Sequence, residues 1–324
     1  MQFNNNKPTL RQSISRIDMN QTIVYLAFIV TVIFFSILLP GKFLTVSNIL
    51  NISMQTAMIS IMAVGMTFVI ATGQIDLSIG SITAVSALVV ALLLRSTGNI
   101  FVSVVVALIV GCIIGFINGV LVTQLNIPSF LVTLGTMGIF RGFSMWVTST
   151  QAVPINNNTF TQLFGLGTIF GIPVLLYWTV AILALGLIIM KKTAFGKKVL
   201  AVGGNDIAAN YSGINIARTK TIVMMFTAVA AAFAGILYAG RLGAGRYTFG
   251  EGDELSVIAA VILGGTSMAG GTANVFGSVV GSILVGIINN GLIIGGLSVS
   301  QQMMVRGAIV IFATALGNRP KKNK

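Results

Sequence analysis

The chain has no histidine, a single cysteine, and only six acidic residues in 324. Without histidine, the commonest general base and metal ligand is missing. Scattered acids and one thiol offer no catalytic cluster and no metal site, which argues against an intramembrane enzyme. Cys112 has no partner for an internal disulfide, and its apolar surroundings read as packing. No G-x4-G-K-[ST] sequence occurs, so the chain is expected to bind no nucleotide or other cofactor. Charged residues make up 8% of the chain, too few to cover the surface of a soluble domain.

What is present is apolar: 55% hydrophobic residues and a mean hydropathy of +0.97. Runs long enough to cross a bilayer recur near 21–39, 49–72, 77–94, 100–123, 129–148, 172–190, 221–240, 255–271, 274–294 and 299–316. The expectation is an all-α polytopic membrane protein of about ten spans. The first run lacks a small-x-small cleavage pattern and reads as a retained helix.

The net charge of +13 reports topology rather than nucleic acid. Lys7, Arg11 and Arg16 precede the first span. Lys191, Lys192, Lys197, Lys198, Arg218 and Lys220 share one central loop, and Arg319, Lys321, Lys322 and Lys324 form the tail. By the positive-inside rule all three are cytoplasmic, and even numbers of crossings separate them. The chain then divides into a cytoplasmic segment (1–20), a membrane domain (21–316) with a cytoplasmic loop (191–220), and a basic tail (317–324). The stretch 149–171 carries turn residues and reads as an outside loop.

One carboxylate stands apart. "TGQIDLSIGS", residues 72–81, sets Asp76 between two apolar runs, and "GDELSVIAA" from Gly252 aligns with "QIDLSIGSI" so that Ser78 meets Ser256. "GFINGVL" and "GIINNGL" likewise put Asn118 opposite Asn289. These matches suggest that spans 2–5 repeat as spans 7–10, inverted because five crossings separate them, which is a transporter signature. Asp76, Asp253 and Glu254 would then start helices near opposite membrane faces. Asp76 reads both as a helix cap with Ser78 and as a path group. Asn118 and Asn289 read as helix-joining amides or path lining, and Arg141 and Arg306 as snorkelling cations. Gly111, Gly115 and Gly119, and Gly277 with Gly281, have the small-x3-small spacing of close helix packing. "LGGTSMAGGTAN" (263–274) reads as an interrupted or tightly turned segment. In the central loop, Gly203, Gly204 and Gly213 read as turn points beside a short docking helix.

Through "AVGMTFVIATGQIDLSIGS", "GFINGVLV", "TAFGKKVLAVGGNDIAANYSGI", "ELSVIAAVILGGTSMAGG" and "NNGLIIGGLS", the chain resembles the permease subunits of bacterial ribose-type sugar ABC importers over nearly its whole length. The resemblance implies a permease paired in the inner membrane, as two copies or with a related chain. An extracytoplasmic sugar-binding protein would feed it, and a cytoplasmic ATPase that uses the ATP would drive it. It also implies that the loop around Gly203, Gly204, Asn205, Asp206, Ala208, Ala209, Ser212, Gly213 and Ile214 rests on that ATPase. Asp76, Ser78, Asn118 and Asn289 are the candidates for substrate path or gate. The rival readings are an ion-coupled secondary transporter, which would need a relay of ionisable groups, and a permease for another metabolite such as branched-chain amino acids.

Overall fold

The computed structural model describes residues 19–317, with side-chain surroundings over 25–315. The basic residues expected before the first span and in the tail lie outside that range, as do the ends of the two terminal segments. Twelve helices carry the fold: α1 (Met19–Leu38), α2 (Val46–Ala71), α3 (Ile79–Thr97), α4 (Ile100–Gln124), α5 (Ser129–Thr148), α6 (Val174–Lys192), α7 (Ala194–Gly204), α8 (Asp206–Tyr211), α9 (Ile216–Leu242), α10 (Asp253–Leu263), α11 (Val275–Ile294) and α12 (Val299–Gly317). Between α5 and α6 a short helical turn and a two-residue hairpin replace any crossing, as the turn residues there require.

Among the described residues, seven helices, α2 to α6, α9 and α11, are long and apolar enough to cross a membrane. The ten expected spans are not each matched by one long helix among these residues. The segment expected over 255–271 shows the reason most clearly: α10 stops at Leu263 after 11 residues. The backbone then folds back through Gly265, Gly270 and Gly271, whose φ values of +91°, +82° and +76° lie where a side chain is disfavoured. The central loop also differs in detail, because Gly203 and Gly204 form the last turn of α7 and Asn205 caps α8.

Helix α2 forms the centre, buried along most of its length. Its contacts with α11 include hydroxyl and amide pairs: Ser60 with Ser282 at 2.6 Å, Thr67 with Ser278 at 2.8 Å, and Asn48 with Asn290 at 3.0 Å. Such pairs hold helices together where apolar burial gives little drive in lipid. On the other side, α4 lays Gly111, Gly115 and Gly119 against Ala232, Ala228 and Thr221 of α9. A Cβ added at Gly115 would come within 2.6 Å of the Ala228 methyl and 2.7 Å of the Met224 carbonyl oxygen. Gly277 and Gly281 of α11 meet the backbone of Gly264 and Ala260 in the same way.

Candidate functional site

The 72–78 connection runs without regular structure from the end of α2 to the start of α3. Two hydroxyls of the first turns of α5 support it, since Ser129 Oγ accepts from the Ile75 amide at 3.1 Å and Thr133 Oγ1 from the Leu77 amide at 3.0 Å. Residues four apart lie one above the other on a helix, so this pair holds alternate backbone donors of an extended strand of chain.

Held in this way, Asp76 turns fully inward. Its Oδ1 accepts from the Ser78 amide at 2.9 Å and from Ser78 Oγ at 2.6 Å. This is an aspartate turn just ahead of the helix rather than a cap on α3 itself. Ser78 Oγ in turn accepts from Asn118 Nδ2 of α4 at 2.9 Å. Asp76, Ser78 and Asn118 are all 0% exposed, while Asp76 Oδ2 and Asn118 Oδ1 have no protein partner. The arrangement is therefore a three-residue buried chain with a free acceptor at each end. No cationic side chain hydrogen-bonds to the carboxyl among the described residues.

Asn289 does not join this cluster. It is half-buried on α11, and its neighbour Asn290 makes the amide contact there, to Asn48. The two acidic helix starts also depart from expectation. Thr83 Oγ1 donates to the Ala231 carbonyl at 3.1 Å, and Ala231 lies about 22 Å from the start of α9, so α3 begins partway along its neighbour. There its first turn meets that of α10. A Cβ on Gly80 would lie within 2.6 Å of Glu254 Oε2 and closer still to the Gly250 carbonyl oxygen. The two N-termini thus converge inside the bundle instead of standing at opposite faces. The absence of side chain at Gly80 permits that contact, and the Glu254 carboxylate lies beside the positive end of α3's dipole.

Residues 48–314 match the family model described as branched-chain amino acid transport system / permease component. The chain belongs to this permease family. The ribose import permease protein RbsC of Bacillus subtilis (strain 168) is 38% identical to the permease over 296 residues, covering 91% of this chain and 92% of that one. The protein of the same name from Escherichia coli (strain K12) is 38% identical over 301 residues, covering 91% and 92%. The D-allose transport system permease protein AlsC of Escherichia coli (strain K12) is 34% identical over 300 residues, covering 92% and 91%. No solved structure matches the permease.

Two charged side chains of the permease do more than snorkel. Arg141 of α5 donates from Nη1 to the carbonyls of Tyr247 and, at 2.9 Å, Phe249, so it pins the connection between α9 and α10. Arg306 of α12 lies against Gly252 of the same connection, with its Nε buried and unpartnered. The sequence reading of both arginines as snorkelling cations gave neither of them this anchoring role, and each is followed by a glycine, Gly142 and Gly307. Ser129 and Thr133 were missed altogether. Among the coupling candidates, Asn205 caps α8 through a bond from the Ala208 amide at 2.9 Å, and Ala209 is buried. Asp206, Ala208, Ser212 and Gly213 are exposed, Ile214 is half-buried, and the two unmentioned apolar residues Ile207 and Tyr211 are 67% and 89% exposed.

Proposed function

We propose that the permease is the membrane subunit of an ATP-driven importer for a monosaccharide, a pentose or hexose. An extracytoplasmic binding protein delivers the sugar, and a cytoplasmic ATPase supplies the energy. The observation that carries this reading is the convergence of α3 and α10. Two helices interrupted inside the bundle, with their N-termini in contact and the Asp76–Ser78–Asn118 chain beside them, are the arrangement by which transporters give a polar solute passage through an apolar protein. The relatives named for ribose and allose support a sugar as that solute. The chain performs no covalent chemistry in this mechanism. Hydroxyl and amide groups offer a neutral sugar weak contacts, and weak contacts favour release on the far side.

Ten crossings complete the architecture in this reading, with α1, α10 and α12 added to the seven apolar spans. The halves α2–α5 and α9–α12 are inverted with respect to each other. Two pairings support it: α4 packs glycines on α9 as α11 packs Gly286 on Thr56 of α2, and α5 holds the connection before α3 as α12 meets the connection before α10. Both termini and the 191–220 loop are cytoplasmic in a bacterial inner membrane, by the distribution of basic residues. The exposed face of α8, with Ile207 and Tyr211 one turn apart, receives the ATPase.

The partner across the membrane is a second copy. Gly135, Gly138 and Gly142 line one face of α5 and have nothing within 4 Å of a Cβ placed on them. Half-buried Arg141 adjoins that face. Glycines so spaced invite close helix approach, and lipid is a poor cover for a cation. A cleft of about 410 Å³, lined by apolar residues together with Gln74, Asn126 and Lys220, forms the cytoplasmic mouth beneath the Asp76 connection in this reading.

The test is labelled uptake into proteoliposomes holding the permease with its ATPase and binding protein, across a panel of pentoses, hexoses and branched-chain amino acids. Uptake of a sugar that requires ATP and the binding protein supports the proposal. Uptake driven by an ion gradient without ATP rejects it.

A further inference from the structure

The seam between the last turn of the cytoplasmic helix α7 and the membrane domain contains almost no side chains. Helix α7 is held along its length by Phe195, which stacks on Phe68 of α2 at a centroid distance of 6.4 Å, and by Val199 and Val202, both buried. Its last turn is different. A Cβ at Gly203 would overlap the Ala71 carbonyl oxygen and lie 2.7 Å from the Gly271 amide nitrogen. That same carbonyl accepts from the Gly271 amide at 3.0 Å. From the opposite side, a Cβ at Gly270 would lie 2.6 Å from the Gly203 carbonyl oxygen, and one at Gly271 would lie 2.8 Å from Gly204 Cα.

Three backbones therefore meet at one point: the end of α2, the turn after α10, and the end of α7. Each leads somewhere specific. Ala71 is followed directly by the 72–78 connection that carries Asp76. The turn continues α10, whose start touches Gly80. Helix α7 continues through Asn205 into α8. Backbone pressed on backbone has no rotamers to absorb a displacement, so movement of α7 passes undiminished to both interrupted helices.

We propose that Gly203, Gly270 and Gly271 form, with the Ala71 carbonyl, a side-chain-free joint that carries ATPase-driven movement of α7–α8 into the connections before and after the interrupted helices. Gly203 is thus a positioning residue inside the permease and makes no contact with the ATPase. This inference rests on the importer reading given above. Ala194, exposed at the start of α7 and about 13 Å along the helix from Gly203, is the internal control.

The experiment uses the full complex in proteoliposomes and reads ATP hydrolysis, uptake and retention of the ATPase together. The unmodified complex comes first: no ATP-dependent uptake there rejects the importer reading before the joint is tested. Gly203→Ala is expected to keep the ATPase bound and hydrolysing, while uptake per ATP falls about tenfold or more. Ala194→Ser is expected to match the unmodified protein in all three. A fluorophore on Gln74→Cys, in a Cys112→Ser background, is expected to report a nucleotide-dependent change that Gly203→Ala removes. Unchanged uptake per ATP in Gly203→Ala overturns the joint, and so does loss of the ATPase from a folded variant, which would make Gly203 a docking contact. If Gly203→Ala does not fold, the Gln74 probe decides. A Gln74 probe blind to nucleotide in the complex with native Gly203 overturns the proposal.

Discussion

Asn118 Nδ2 lies 2.9 Å from Ser78 Oγ, and this single bond ties a glycine-packed span to the connection that carries Asp76. Ser78 is the centre of the chain, since it donates twice to Asp76 and accepts once from Asn118. Ser78→Ala removes the hydroxyl from both partners and is expected to cost about 2–3 kcal/mol, whereas Asn118→Ala costs about 1 kcal/mol. The double variant should lose less than the sum, because both substitutions break the same bond. Thermal melting in detergent measures all three, and strictly additive losses would show that the chain is not coupled.

Asp76→Asn tests whether charge or geometry matters. An amide oxygen can accept from the Ser78 amide and hydroxyl as the carboxyl does, and no cation sits on the carboxyl to be orphaned. Uptake is expected to stay within about threefold of the unmodified permease, a change under 1 kcal/mol, while Asp76→Ala loses most of it. Equal loss in both variants would mean that the carboxylate's charge takes part in transport.

The contrast between what was legible and what was not follows from range. Asp76, Ser78 and Asn118 stand out in sequence because a polar side chain inside an apolar run needs a partner, and short spacing joins the first two. Ser129 and Thr133 carry no such signal. Hydroxyls on a helix satisfy themselves on the preceding turn, and their second role exists only once the 72–78 backbone lies beside them. The early end of α10 was foreshadowed by the glycines after Leu263, but its meeting with α3 depends on tertiary packing and could not be read from either segment alone. Gly203 looked like a turn residue for the same reason, since close approach of a distant backbone and local chain reversal both select glycine.

Glycines of two kinds should respond oppositely to enlargement. Gly115 faces Ala228 and the Met224 carbonyl, so Gly115→Val overfills the α4–α9 seam and is expected to destabilise the fold by about 1–3 kcal/mol or more. Gly138 on α5 faces open space, so Gly138→Leu leaves the single copy's stability within about 0.5 kcal/mol. If the second copy packs on that face, the same substitution shifts the complex towards single copies, as read by light scattering or cross-linking. Retention of the dimer in both Gly138→Leu and Gly142→Leu would place the interface elsewhere.

Arg141 supplies the last test, because its charge and its anchoring role predict different things. Removing a half-buried cation from an apolar span relieves a desolvation cost, so charge alone predicts that Arg141→Met is neutral or stabilising. The guanidinium, however, holds the Tyr247 and Phe249 carbonyls of the connection that feeds α10, and an unmade bond to a buried carbonyl costs about 1–3 kcal/mol. The loss should be local. Amide hydrogen exchange over 244–252 is expected to quicken by about tenfold or more in Arg141→Met, with α9 unchanged. Arg141→Lys should fall between, because both bonds come from the single nitrogen Nη1, whose donors an ammonium can replace, but the lysine stem is shorter and reaches the carbonyls less well. If exchange in this connection matches the unmodified permease in both variants, the arginine is not what fixes the start of α10. Its place in the apolar span would then need another cause, such as contact with the transported solute.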